Sequence, residues 1–239
     1  MSEVVNPNTT AYNWDIDGEP FLFFGGDYQD VCTLSHEFGH YNAARVGSSD
    51  GVSYDLNEVF SQGSEVMFYN YLRNNAKDNQ KAYDLIFANR LDNFLSNIYV
   101  GVMINELELQ LYNADNIATM SNDDIAKVVT DILSYIRKGG EGISTNVEGI
   151  LDILLVSPIY YISYSTSAIA SLELMADAYN DYSKAKGMYK KIYANYSKND
   201  KINDFQDVMN YVGLSNVFEK QAYQNIYNFT SSFLESNKA

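Results

Sequence analysis

Asp30-Val31-Cys32-Thr33-Leu34-Ser35-His36-Glu37-Phe38-Gly39-His40 holds both histidines of the chain, four residues apart, with a glutamate beside the first. On a helix this spacing sets the two imidazoles one turn apart on one face. Two neutral imidazoles so placed can chelate one divalent ion, and Glu37 stands where it can take a proton from a water at that ion. The plainer reading is a chance His-Glu-x-x-His on a solvated helix face. The rest of the ligand set decides between them.

A catalytic zinc takes three protein ligands and keeps one position open. The chain has no third histidine, and the extended pattern that would supply one fails, because Ala43 stands in place of its glycine and Val46 in place of its histidine. The third ligand is then a carboxylate, or the site is incomplete. The next acids are Asp50, Asp55, Glu58 and Glu65, and the last two sit in a helical stretch running from Asp55 to Tyr69. Glu58 is the choice. It lies 18 positions after His40, which lets Tyr41 to Val46 finish the first helix, Gly47 to Ser53 turn, and a second helix come back alongside. Glu65, two turns further on nearly the same face, is either an acceptor for a ligand imidazole or an ordinary helix carboxylate.

With 239 residues, 46% of them hydrophobic, the chain can bury a proper core. Sixteen basic against 31 acidic residues give a net charge of −15, which argues against nucleic acid or an anionic membrane surface as partner. The same field favours neutral or basic peptides in a groove. The single cysteine, Cys32, excludes an internal disulfide and reads as a small core residue of the metal helix. No stretch approaches 18 apolar residues, so no membrane span is predicted. Met1 to Thr10 carry neither the basic start nor the apolar run of a signal peptide.

Residues 1–18 read as an irregular lead-in. Glu19-Pro20-Phe21-Leu22-Phe23-Phe24, ending at Gly25-Gly26, reads as a strand and a turn whose edge either pairs with an extended peptide or merely covers the core. Beyond the two metal helices the signal is helical. Residues 54–75 and 79–113 carry apolar positions at three- and four-residue spacing. Ser121-Asn122-Asp123-Asp124 caps a helix over Ile125 to Ile136 that Gly139-Gly140 stops. Residues 147–184 form one or two helices broken near Pro158, and 187–196, 202–212 and 217–235 complete a helical tail. No linker or repeat divides the chain, so one domain, 1–239, is predicted.

Ser157-Pro158-Ile159-Tyr160-Tyr161-Ile162-Ser163-Tyr164 is a second candidate for chemistry. A tyrosine hydroxyl can donate to the oxyanion that forms when water attacks a peptide carbonyl, and such a donor is worth about 3 to 4 kcal/mol. Tyr160 and Tyr164 fall on one helical face, with Tyr161 about a hundred degrees away. Tyrosines that fill a core and satisfy their hydroxyls locally are the alternative.

Taken together, these residues resemble the oligoendopeptidase F and thimet oligopeptidase family of zinc peptidases. The likeness runs through Pro20-Phe21-Leu22, Asp30 to His40, Asn57-Glu58-Val59-x-Ser61, Tyr164-Ser165-Thr166 and Val212-Gly213-Leu214. It implies a mainly α fold, a zincin-type helical catalytic domain with a short β element before the zinc helix. It implies one Zn2+ held by His36, His40 and Glu58, with Glu37 as general base and acid. One or two of Tyr160, Tyr161 and Tyr164 become the carbonyl and oxyanion donors. Short peptides are the implied substrates, cut at internal bonds, and the cytoplasm is the implied compartment unless a signal has been removed. The chain departs from the family in a shorter interval from His40 to Glu58, and in Asp152-Ile153-Leu154 where a histidine donor is usual. It is also less than half the usual length, so it corresponds to the C-terminal catalytic half, without the N-terminal half that forms the other wall of the groove. A catalytically weak or inactive zinc- and peptide-binding module is the competing expectation.

Overall fold

A helix that must pass another at backbone distance needs a residue without a side chain at the crossing, and the chain supplies one inside its histidine motif. In the computed structural model, which describes residues 12–16, 19–23, 30–46, 53–114, 119–137, 154, 156–198 and 201–237, helix α1 (Asp30–Val46) packs along helix α2 (Tyr54–Asn74). A Cβ on Gly39 would lie 2.5 Å from the Cα of Ser61 and 3.1 Å from the carbonyl oxygen of Phe60. Helix α2 begins where Ser53 accepts a hydrogen bond from the Leu56 N–H, the usual way of satisfying a first-turn donor.

The chain divides into two compact units, residues 1–95 with 166–239, and residues 96–165. The first holds α1, α2, the start of α3 (Gln80–Tyr112), most of α5 (Ile162–Asn180), α6 (Tyr182–Tyr196), α7 (Phe205–Val212) and α8 (Lys220–Ser236). Helix α2 is its centre. Leu56, Val59, Phe60 and Val66 are buried, and so are Glu58, Ser61, Gln62, Glu65 and Asn70, so this helix presents polar as well as apolar groups to the interior. Phe60 meets the rings of Tyr189, Tyr193 and Tyr196 at 4.9 to 5.6 Å, and the Tyr189 hydroxyl donates to the Phe60 carbonyl at 3.0 Å. At the other end Phe87, Tyr179, Phe229 and Phe233 form an aromatic cluster, with the Arg73 guanidinium 4.2 Å from the centre of the Tyr179 ring. Helix α7 stops at Gly213, whose φ of 93° is open to glycine at little cost, and the N–H of Leu214 turns back to the Met209 carbonyl. Glu173 then pins the segment ahead of α8, accepting from the Ser215 N–H, the Ser215 hydroxyl and the Asn225 amide.

In the second unit Met103, Ile104, Leu107 and Leu111 of α3 pack with Val129 of α4 (Asn122–Arg137) and with Leu154. The Asp124 carboxylate accepts from the Ser121 N–H at 3.0 Å and is hydrogen-bonded to its hydroxyl, as the cap signature predicts. Ile159 adopts a φ of 60°, and its N–H donates to Glu108 at 2.6 Å.

The β element of the predicted fold needs correction. A mainly α, zincin-type helical domain with a short β element before the zinc helix was expected, after an irregular lead-in at 1–18. The body that carries the candidate site is α-helical. Glu19–Phe23 occurs only as half of a two-stranded antiparallel hairpin against α1, its partner being Tyr12–Ile16 from the stretch expected to be irregular. Two five-residue strands satisfy each other's backbone but are too small to form a layer of a core. The expectations for Met1 to Thr10, Gly25-Gly26, residues 47–52, Gly139-Gly140 and the Cys32 side chain fall outside the described residues and side chains.

Two glycines on this framework should respond oppositely to the same change. Gly39→Ala gains helix propensity of about 1 kcal/mol but must push apart a pair of backbones that cannot rotate away, so a net loss of about 1 to 2 kcal/mol is expected in urea unfolding. Gly187→Ala meets nothing within 4 Å and should stabilise by about 0.5 to 1 kcal/mol.

Candidate metal centre

Glu58 reaches the histidines because α2 crosses α1 at Gly39 and carries its carboxylate to the face from which both imidazoles project. The His36 Nε2 lies 3.3 Å from one Glu58 oxygen and the His40 Nε2 lies 3.8 Å from the other. One donor atom from each of His36, His40 and Glu58 falls within 4.8 Å of the other two. Donors about 2.1 Å from a tetrahedral ion sit about 3.4 Å apart. The cluster therefore needs little movement to close on a single ion. Two imidazoles and one carboxylate suit zinc, whereas calcium and magnesium prefer oxygen throughout. Glu58 is buried, and the two histidine side chains are about one-fifth exposed, 17% and 21%, which leaves the ion position reachable from solvent.

The carboxylate is held from both sides in sequence. Ser61 donates to the Glu58 carbonyl at 3.0 Å and sits 3.5 Å from its carboxylate. The Tyr196 hydroxyl donates to the Asn57 side-chain oxygen at 3.1 Å. Burial, with Tyr189 and the charge of Glu58 adding to it, pushes the Tyr196 hydroxyl far above its ordinary range, so it remains a donor. Glu65 takes the first of its two sequence readings: its carboxylate accepts from the His36 Nδ1 at 2.7 Å, leaving Nε2 for an ion. Of the other acids considered, Asp55 accepts from Thr166, and Asp50 lies outside the described residues. Glu37 lies on α1 beside His36, partly exposed.

Charge is unevenly shared between the imidazoles. Burial opposes a proton on His36, but hydrogen bonds to Glu58 and Glu65, with the charges of both carboxylates, outweigh it and raise the pKa from 6.5 to about 10. His40 goes the other way, lowered to about 4 by burial and by the adjacent His36, against the pull of Glu58.

The tyrosine segment belongs to the second unit and is described by itself. Helix α5 begins at Ile162, so the helical wheel expected to separate Tyr161 from Tyr160 and Tyr164 does not apply to the first two. All three rings touch, with centroids 5.2 to 5.8 Å apart, and the hydroxyls of Tyr160 and Tyr164 share a hydrogen bond of 2.8 Å. Burial raises the Tyr161 hydroxyl. Ser165, next in the segment, is structural: its hydroxyl donates to the Ile98 carbonyl at 2.8 Å.

The sequence reading missed two residues here. Arg90, whose Nη2 is 2.5 Å from Glu65, had a signal: it is a cation among Phe87, Leu91 and Phe94 on the apolar spacing of α3. Tyr196 had none beyond the abundance of tyrosine.

No family model matches the sequence, and no curated protein matches it. Solved structures do share its fold. A chain assigned as oligoendopeptidase F superposes with a TM-score of 0.72 at 17% identity. PZ peptidase A, solved with an inhibitor, superposes at 0.72 and 18%, and a chain assigned as oligoendopeptidase F from Bacillus anthracis str. Ames at 0.67 and 18%. Each covers 95% of this chain, whereas the chain spans 41%, 42% and 39% of their lengths. The resemblance to oligoendopeptidase F and thimet-type peptidases therefore holds at the level of the fold, over about two fifths of those proteins.

The charge state makes metal uptake a proton exchange. Between pH of about 4 and about 10 His36 holds one proton that a ligand imidazole must give up, so about one proton should leave per ion bound. Apparent zinc affinity should rise about tenfold per pH unit across that window. Calorimetry in buffers of different ionisation heat reads the proton count directly.

Proposed function

We propose that this protein is a zinc metallopeptidase that hydrolyses internal bonds of short peptides. The observation that carries the reading is the convergence of His36, His40 and Glu58 within 4.8 Å of one another, on a fold shared with solved peptidases. The donor set fits one Zn2+, which when bound would lower the pKa of a water and polarise the scissile carbonyl. Glu37 takes the proton of that water on its carboxylate and gives it to the nitrogen of the leaving amine. Glu65 keeps the His36 Nδ1 proton in place. On the strength of the resemblance, the hydroxyls among Tyr160, Tyr161 and Tyr164 donate to the carbonyl oxygen as its charge grows.

The substrate class follows from the resemblance and from charge. A net charge of −15 draws neutral and basic peptides in preference to acidic ones. No described helix is long and apolar enough to cross a membrane, and the resemblance supports the cytoplasm as the compartment of the reaction. A second reading, a zinc-retaining peptide-binding module of little activity, is favoured by the share of the solved peptidases that the chain spans, about two fifths, and by Asp152-Ile153-Leu154 where the resemblance calls for a histidine. In that case a separate N-terminal half completes the groove.

Turnover of a quenched peptide by the zinc-loaded protein distinguishes the two. Glu37→Gln should lower kcat by about 10² to 10⁴ with metal content unchanged. His40→Ala should lose the metal along with activity. A protein that keeps zinc and cleaves nothing would be the binding module. Among Tyr160→Phe, Tyr161→Phe and Tyr164→Phe, at least one should cost about 10² to 10³ in kcat; three silent variants would remove the tyrosines from the mechanism.

A further inference from the structure

Glu65 is 1% exposed in its side chain, and it meets two partners with different oxygens. One oxygen accepts from the His36 Nδ1 at 2.7 Å, and the other meets the Arg90 Nη2 at 2.5 Å. Arg90 comes from α3, 25 residues later in the chain. It is itself largely buried, 14% exposed, with its guanidinium 4.6 Å from the centre of the Phe94 ring. A guanidinium held against an aromatic face and a carboxylate has little freedom to turn away.

We infer that Arg90 is a positioning residue for metal binding: through Glu65 it fixes the tautomer and tilt of His36, so that the His36 Nε2 faces the ion. The inference rests on the zinc reading given above. A buried carboxylate that loses one of its two partners is free to turn, and turning loosens its hold on the His36 ring. Arg90 holds one Glu65 oxygen, and the other is thereby left pointing at the imidazole. Its effect on the ion is wholly indirect. Groups in this outer position typically set metal affinity by about 10- to 100-fold.

The test is a double-mutant cycle read by zinc competition against a chromophoric chelator and by the visible spectrum of the cobalt-loaded full chain. Arg90→Met, which keeps the contact with Phe94, should weaken zinc binding by about 10- to 100-fold and alter the cobalt bands. Arg90→Lys should recover some of the loss. In a Glu65→Gln background, where the amide oxygen still accepts from His36 and no charge needs holding, Arg90→Met should have little further effect. That double variant also answers for folding, because it leaves no buried charge unpaired. Wild-type affinity and an unchanged cobalt spectrum in Arg90→Met would overturn the inference, and so would losses that simply add in the double variant. Failure of the underlying reading looks different: the wild-type chain itself would bind no zinc, or His36→Ala would bind it as well as wild type.

Discussion

The approach of α1 to α2 at Gly39 is the constraint on which the site depends. With Ser61 Cα 2.5 Å from where a Cβ would stand, the two helices touch through their backbones. Three residues before that contact α1 carries His36, and one residue after it His40; three residues before Ser61, α2 carries Glu58. The donors meet because they flank a crossing whose spacing no side chain dilutes. A larger residue at position 39 would push the two backbones apart and draw the Glu58 carboxylate away from the imidazoles.

The rest of the first unit can be understood as support for α2. A helix that buries two glutamates and a glutamine along with its apolar residues is a poor choice for stability alone. Its hold on the interior comes from aromatic contacts on Phe60 and from hydroxyls that satisfy its backbone and its Asn57. Tyr189 does both, packing on Phe60 and donating to the same residue's carbonyl. The abundance of tyrosine in this chain has a structural cause here: a ring fills space beside the polar helix while its hydroxyl answers a polar group.

Much of this was legible in the residues. Helical spacing put His36 and His40 together, the lack of a third histidine directed attention to acids, and Glu58 followed from the length needed to turn back. The long α3 and the cap at Ser121 also followed from local patterns. Arg90 was not found, because nothing in its neighbourhood names Glu65 as its partner; the pairing exists only after α3 has packed on α2. The hairpin was half found. Asp17-Gly18 between two short runs is a strong turn signal, yet the polar character of residues 1–18 masked it. Tyr160 and Tyr164 do meet, but Tyr161 is not turned away from them: a helical wheel was applied across Tyr160 and Tyr161, which precede the first turn of α5, after the left-handed residue Ile159.

The proton on His36 has a bearing on how such a protein matures. With one imidazole cationic between the carboxylates of Glu58 and Glu65, the cluster is held together by its own charges before any ion arrives. Domains whose metal replaces a hydrophobic core stay unfolded until they are loaded; this chain has a large core of its own and a site that is already closed electrically. The scaffold can thus be complete before any ion enters it, so that a chain with an empty site stays folded instead of open to degradation.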